Sequence, residues 1–568
     1  MNVQKSRLSQ KQQDFLIPVF LYVLLLTYKL IVVIHLRSEP QVADEFTYLK
    51  MARLLYQNGS YNSVQYPLLY PLFLLPAVLT GDHFYLTAKI LGAISSAFVP
   101  VCTYAIARLY LDPEKSMIPA AFSTVIPYHY VTTMTIMSEN LYFPLFLLEI
   151  YLVLKPRKHV VISDIGTGML LGALFMTRHI TLVSIPVFGL VWLMREAEEK
   201  RKPGSVILRS VLVVACMAAV YAPWVLMCRS YGYGFKEIIG FKIASKTNPE
   251  QLTMKRLLMV AGFYLCYFAL ILAPVLGLVV KSIRALHVNF KEWFCSYNRL
   301  WTMVCGSAAA FFVAVTRHSW RAYYNYPEFE KIKGRYLIYF PTLFVILGVV
   351  VLFKEKPVFK KKWFNILATY LLPVGLIVAG YLIDVTGIAC TLKSTFIGSI
   401  ESTDGQKVKL IGNAFTVIVS LFVLYYQYLM DFAKEARKRM LPLVFAAGLL
   451  LIEIWGMPSY LSFLIGVNDK QNSTNNRYAE ELTETLKNLD LTKQTYILAE
   501  KIPQYKYIGR YLIFQKMDQI SLVQKKENVP DASYYILTKD KDAYADITEA
   551  VEAEYDWTDT YFLLKVQD

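Results

Sequence analysis

A succession of apolar stretches constrains this chain more than any other feature. Thirteen of them fall at 15–36, 84–109, 116–134, 139–154, 160–177, 180–194, 207–228, 256–280, 300–316, 336–353, 364–384, 409–430 and 441–466. A helix needs about 20 apolar residues to cross a hydrocarbon core, and several stretches sit near the lower length limit. With 55% hydrophobic and 18% charged residues among 568, the chain reads as a polytopic α-helical membrane protein and not as a soluble domain. The net charge of +16 does not point to nucleic acid, because the basic residues lie in short runs between apolar stretches, where membrane topology accounts for them. The first stretch, 15–36, is too long for a signal-peptide core and is not followed by a small-residue cleavage site; it is expected to be an uncleaved signal anchor.

Lysine and arginine set the expected orientation. Lys5, Arg7 and Lys11 precede the first stretch; Lys155, Arg157 and Lys158 follow the fourth; Arg195 and Lys200 to Lys202 follow the sixth. Lys354, Lys356 and Lys360 to Lys362 follow the tenth, and Lys434 and Arg437 to Arg439 the twelfth. Thirteen crossings put all of these on the cytoplasmic side of the cell membrane, with the N-terminus, and leave the C-terminal segment outside. The segment 66–80 is apolar enough to be a fourteenth span, but it would invert the later loops and it carries Pro67, Pro71 and Pro76. It is expected to be a re-entrant or interfacial helix on the outer face.

Two domains follow: a transmembrane domain over 1–466, with an outer loop at 37–83, and an extracytoplasmic α/β domain over 467–568. The latter is polar and free of cysteine, with a helical pattern over 478–489 and strand patterns at 495–499, 519–523, 533–538 and 561–566. It holds no glycine-rich phosphate fingerprint. The seven cysteines are scattered without metal-ligand spacing and are expected to be buried thiols.

Candidate chemistry gathers on the predicted outer face. Asp44 and Glu45 open an amphipathic helix after the first stretch. Two explanations stand for them: an N-cap with an acidic first turn, or a carboxylate that takes a proton from an acceptor hydroxyl. Ser138 and Glu139 start the fourth stretch, where Ser138 fits an N-cap. Arg178 and His179 form a tight turn, from which Arg178 either snorkels to headgroups or binds an anion. Arg335 either anchors the tenth stretch or binds phosphate bidentately. The outer loops 229–255 and 317–335 are basic against the usual charge rule, which suits an anionic ligand as well as solvated loop charge or anionic lipid. Inside the stretches the clearest ionisable residues are Lys29, Glu149 and Glu453, fewer than a proton-coupled transporter usually carries.

The pattern resembles the GT-C fold glycosyltransferases that use polyprenyl-phosphate sugars, and within them the branch of protein O-mannosyltransferases and lipid A aminoarabinose transferases. The resemblance rests on Ala43-Asp44-Glu45-Phe46-Thr47-Tyr48 after the first span, Tyr66-Pro67-Leu68-Leu69-Tyr70-Pro71, Met137-Ser138-Glu139, Thr177-Arg178 and Gly334-Arg335-Tyr336-Leu337. Gln65 and Tyr66 stand where aminoarabinose transferases carry a lysine, a departure from that branch. The resemblance implies a hexosyl- or pentosyltransferase working with inversion. Asp44 would be its base, with Glu45 assisting. Arg178, Lys333, Arg335 and Tyr336 would hold the lipid phosphate, and Tyr48, Tyr66, Glu139 and His179 would contact substrate. The donor would be a polyprenyl-phosphate sugar, the acceptor a protein, glycolipid or surface polysaccharide, and the surroundings membrane lipid. No paired-aspartate motif implies a required divalent metal. A transporter or flippase of lipid-linked saccharides, and a non-catalytic assembly protein, are the competing classes.

Overall fold

The computed structural model describes residues 9–35, 43–126, 128, 129, 133, 135–241, 252–289, 292–321, 336–355 apart from 338, 362–376, 378, 421–429, most of 441–451 and most of 477–566. They form two compact units, one of residues 1–37 and 60–463, the other of 38–59 and 464–568.

The first unit is helical. In order it contains α1 (Gln10–His35), α3 (Leu69–Phe73), α4 (Leu75–Val78), α5 (Phe84–Ser96), α6 (Val99–Arg108), α7 (Pro113–Phe122), α8 (Glu139–Leu154), α9 (Val160–Thr177), α10 (Thr181–Glu198), α11 (Pro203–Ser230), α12 (Met254–Leu272), α13 (Leu276–Arg284), α14 (Ser296–Arg321) and α15 (Phe340–Val350); α2 (Ala43–Asn58) belongs to the second unit. Five segments among the described residues are long and apolar enough to cross a membrane: Gln10–Ile34, Phe84–Arg108, Val160–Thr177, Pro203–Ser230 and Ser296–Arg321. The other expected stretches fall in shorter, interrupted or more polar helices, or partly outside the described residues, as 409–430 and 441–466 do.

What these helices expose shows their solvent. On α1, Phe15, Phe20, Val23, Ile31 and Ile34 face outward, and on α11 so do Ile207, Leu208, Val211, Val214 and Leu226. Apolar surface on that scale is a liability in water and fits a hydrocarbon environment. The chain is an integral membrane protein. The centre of the bundle is the reverse case: all eleven residues of α15 are buried, as expected of a helix that is apolar all round. It packs with α14 and α7, and α8 contributes Phe143, Phe146, Leu147 and Ile150 to the same core.

Glycine sets one close approach. A Cβ on Gly168 of α9 would collide with the Val213 carbonyl of α11, and one on Gly172 would lie 2.6 Å from the Met217 oxygen. Four residues apart, the two glycines share a helix face and let the backbones meet.

Two expected spans are broken. The stretch 116–134 is not one helix: α7 ends at Phe122, and the Ser123 and Thr124 hydroxyls bond back to the Ala120 and Ala121 carbonyls, each at 2.7 Å. Ile126 precedes Pro127, and a residue before proline disfavours the helical conformation. The stretch 256–280 divides at a 3-10 turn, Ala273–Val275, where Pro274 lacks the N–H that a continuous helix needs. The three prolines of 66–80 act similarly, leaving two short helices, α3 and α4.

One end of α8–α11 is pinned by ions. Arg157 pairs with Asp164 at 3.3 Å, with Glu196 at 2.5 Å and with Glu199 at 2.8 Å. Arg209 bonds Asp164 through Nε at 2.6 Å and Glu196 through both terminal nitrogens; Trp192 Nε1 donates to Asp164 at 3.0 Å. Arg195 closes the end of α8 by donating to the Val153 carbonyl at 2.6 Å.

In the second unit, five strands form a mixed sheet in the order β2-β1-β3-β5-β4: β1 (Thr495–Leu498), β2 (Ile520–Val523), β3 (Tyr534–Thr538), β4 (Thr548–Asp556) and β5 (Thr560–Val566). β1 runs parallel to β2 and β3, while β5 runs antiparallel to β3 and β4. A helix over 477–488 packs Tyr478, Leu482 and Leu486 against Ile497, Leu537 and Leu563; Leu498, Ile536 and Leu564 form a second cluster. β4 is absent from the sequence expectation. Register shifts at Thr548/Ala550 and Val551/Ala553 break the two-residue alternation that marks a strand.

Candidate active site

The segment 135–138 leads into α8, and Glu139 is that helix's first residue. Ser138 makes no side-chain capping bond. Its hydroxyl instead accepts from Arg178 Nη1 at 3.1 Å, so the N-cap explanation of this serine does not hold. Arg178 ends α9 in an extended conformation, φ −152° and ψ 132°, which turns its side chain out of the helix. Its guanidinium forms an ion pair with Glu139. Both side chains are nearly buried, 10% and 2% exposed. A buried ion whose partner is removed costs about 3–5 kcal/mol, so each is held by the other.

Aromatic rings flank the guanidinium. Its carbon lies 5.0 Å from the centroid of Tyr336 and 5.9 Å from that of Tyr142, within cation–π range. Tyr339 sits behind, 6.1 Å from both Tyr142 and Tyr128, and the Tyr128 hydroxyl donates to the Glu139 carbonyl at 2.9 Å. Three sequence-predicted residues therefore meet here, Glu139, Arg178 and Tyr336. Tyr142, Tyr128 and Tyr339 are additions that sequence reasoning missed. Their signal was present in part: Tyr142 lies three residues after Glu139 and so on the same side of α8.

His179 faces elsewhere. Its Nε2 bonds the Val64 carbonyl at 2.9 Å and its ring lies 6.3 Å from Trp224. A Cβ on Gly240, where φ is +74°, would come within 2.6 Å of the His179 Cβ. Burial pushes the imidazole pKa down to about 4, against the Val64 bond that favours its charged form. His179 thus ties the α9–α10 turn to the segment that ends in Tyr66, whose carbonyl accepts from Tyr61 at 2.8 Å.

Asp44, Glu45 and Tyr48 all lie on α2, with both acids in its first turn. Glu45, Tyr48, Leu49 and Ala52 are buried, a stripe at helical spacing, whereas Asp44 is half-buried. Tyr48 and Ala52, four and eight residues after Asp44 on this helix, lie toward the same side as Asp44, as expected, and Glu45 borders that side. Lys333 and Arg335 lie outside the described residues, as does Glu453. Lys29 is fully buried and donates to Thr133 at 3.1 Å, and Glu149 is fully buried within α8.

No protein-family model matches the chain, and no curated protein matches it in sequence. Solved structures do. ArnT from Cupriavidus metallidurans in the apo state matches with a TM-score of 0.59 at 13% identity, over 96% of this chain and 97% of that one. The structure of the same protein bound to undecaprenyl phosphate matches with the same figures. An oligosaccharyltransferase of Archaeoglobus fulgidus tethered with an acceptor peptide gives 0.45 at 11% identity, over 96% of this chain and 74% of that one. At nearly full length, the chain has the fold of ArnT, in agreement with the GT-C resemblance carried by its sequence.

Proposed function

We propose that this protein is a membrane glycosyltransferase that moves a monosaccharide from a polyprenyl-phosphate donor to a hydroxyl acceptor on the extracytoplasmic face. The observation that carries this reading is Arg178. It is a nearly buried cation walled by Tyr142 and Tyr336, in a chain that follows the whole length of ArnT, a protein seen with undecaprenyl phosphate bound. A planar guanidinium in a shielded site is suited to a phosphate, and its attraction is stronger there than in water.

In this reaction the bond from the sugar's anomeric carbon to the donor phosphate breaks as a bond to the acceptor oxygen forms, with inversion. The acceptor proton passes to Asp44, with Glu45 assisting. The polyprenyl phosphate leaves with its electron pair, and Arg178, Lys333 and Arg335 stabilise the charge that develops on it. Tyr336 orients Arg178. Tyr48, Tyr66 and Glu139 contact the substrates, and His179 holds the turn in place. Positioning and charge stabilisation account for most of the rate.

The test is transfer of label from a panel of radioactive polyprenyl-phosphate sugars into membrane acceptors, comparing wild type with Asp44→Asn. Transfer by the wild type, and its loss in a well-expressed Asp44→Asn protein, supports the enzyme and the role of Asp44. Equal transfer by both removes Asp44 from the chemistry. Movement of lipid-linked sugar across vesicles without any transfer replaces the enzyme with a flippase.

A further inference from the structure

We propose that Arg317 and Arg321, at the end of α14, form a binding site for the phosphate of a membrane lipid. The inference goes beyond the function proposed above and does not depend on it.

The pair lies at the same end of the bundle as Arg178. Arg299, in the first turn of α14, pairs with Glu198, the last residue of α10, at 2.6 Å. Farther along, a Cβ on Gly306 would meet Val187 at 3.0 Å, so the two helices run antiparallel. α10 starts three residues after Arg178, and α14 therefore ends toward that turn. Phe241 closes the link. It follows Gly240, which packs on His179, and the Arg317 guanidinium carbon lies 5.2 Å from the centroid of its ring.

The stripe that ends in these arginines faces hydrocarbon. Val313, Arg317 and Arg321 follow at four-residue spacing and share one side of α14. Val313 is exposed, on a helix long and apolar enough to cross a membrane. Trp320 donates to the Thr253 carbonyl at 3.1 Å, and α12, which starts one residue later, exposes Met254 and Leu258. About 6 Å of helix separates Val313 from Arg317. That step carries the guanidinia from the hydrocarbon-facing surface to the headgroup layer, where the lipid phosphates are.

Arg317 is exposed and Arg321 half-buried. Among the described residues no carboxylate pairs with either, and the two like charges repel one another. Glu237, the acid of the 235–241 segment, accepts from the Gly234 N–H at 2.9 Å instead. The helix dipole and snorkelling favour any cation at this end. A pair of arginines on one face adds a repulsion that neither effect needs. A phosphate shared between them removes it, and the planar guanidinium matches phosphate oxygens two at a time. Two lipids carry this chemistry, an anionic phospholipid of the leaflet and a lipid acceptor that bears phosphate.

The experiment is native mass spectrometry of the full chain in detergent, titrated in parallel with phosphatidylglycerol and with zwitterionic phosphatidylcholine of the same acyl chains. Wild type is expected to bind the first phosphatidylglycerol about tenfold tighter than the first phosphatidylcholine, and Arg317→Gln/Arg321→Gln to lose that preference. Each single variant is expected to lose a few-fold, which keeps the test open should the double variant misfold. Lys200→Gln/Lys202→Gln, which removes two exposed cations at the other end, is expected to keep the preference. A preference retained by the monodisperse arginine variants, or absent from wild type, overturns the site. An equal loss in the Lys200→Gln/Lys202→Gln variant reads as the charge of the whole chain and overturns it too. Sugar transfer separates the two lipids once the preference is lost with the arginines. A raised KM for the membrane acceptor with kcat unchanged assigns the site to the acceptor, and unchanged transfer assigns it to a phospholipid. The same loss in a chain whose wild type transfers no sugar supports the lipid site and overturns the proposed function alone.

Discussion

Helices α8 to α11 carry buried charge at both ends, and the two ends are built differently. At one end Arg157 and Arg209 face Asp164, Glu196 and Glu199, with the buried Arg195 beside them on the last carbonyls of α8 and the more exposed Arg201 on Glu199. At the other, about 24 Å away along the sixteen residues of α8, Arg178 meets Glu139 between two tyrosines. The first arrangement shares its charges among several partners and binds four helices together. Among the described residues, the second sets one cation and one carboxylate among aromatic rings. Burial of charge alone does not mark a functional site.

The largest expected effect breaks the multiply bonded end. Asp164→Ala strips a carboxylate from Arg157, Arg209 and Trp192, and is expected to cost about 3–5 kcal/mol of stability. Thermal unfolding in detergent reads it. An unchanged midpoint would mean that the network is ornamental and the contrast between the ends is unfounded.

The next effect belongs to the other end. Arg178→Gln is expected to lower sugar transfer by at least about a hundredfold, as removal of a charge-stabilising donor does, whereas Asp164→Ala leaves the specific activity of the folded fraction intact. The comparison is sharpened if the two variants separate in this way. It fails if Arg178→Gln unfolds the protein as severely and leaves the specific activity of the folded fraction intact.

The smallest effect concerns His179, beside the arginine. Its folded pKa of about 4 lies below the ordinary value of 6.5, so the unfolded chain binds the proton more readily. The stability it contributes is fully present above about pH 6.5 and is lost as pH falls toward 4. Between pH 7.5 and 6 the loss is about 1 kcal/mol. The midpoint of wild type should fall with pH more steeply than that of His179→Asn. Equal slopes would show that the imidazole is not held neutral by its surroundings.

Much of this is legible in the sequence. The acidic start of α2, the interruption of 66–80 by prolines and four of the five strands follow from local pattern. Tyr336, Arg178 and Glu139 were each identified, but as members of separate outer turns. Their meeting depends on how α8, α9 and the segment before α15 pack, which no spacing encodes. Ser138 looked like an N-cap because a serine before a helix has the same sequence signature whether its hydroxyl caps the helix or, as here, meets an arginine. The breaks at Ser123 and Ala273 were hidden by hydropathy, which counts apolar residues and not hydrogen bonds. β4 was hidden by its bulges.

The most direct measurement uses undecaprenyl phosphate carrying a photo-reactive group beside its phosphate, with the adducts mapped by mass spectrometry against an undecaprenol analogue. The expected phosphate-dependent adducts fall within residues 138–142, 178–181 and 336. Adducts confined to 155–164 and 196–209, or equal labelling by the undecaprenol analogue, would contradict the assignment of Arg178 as the phosphate site.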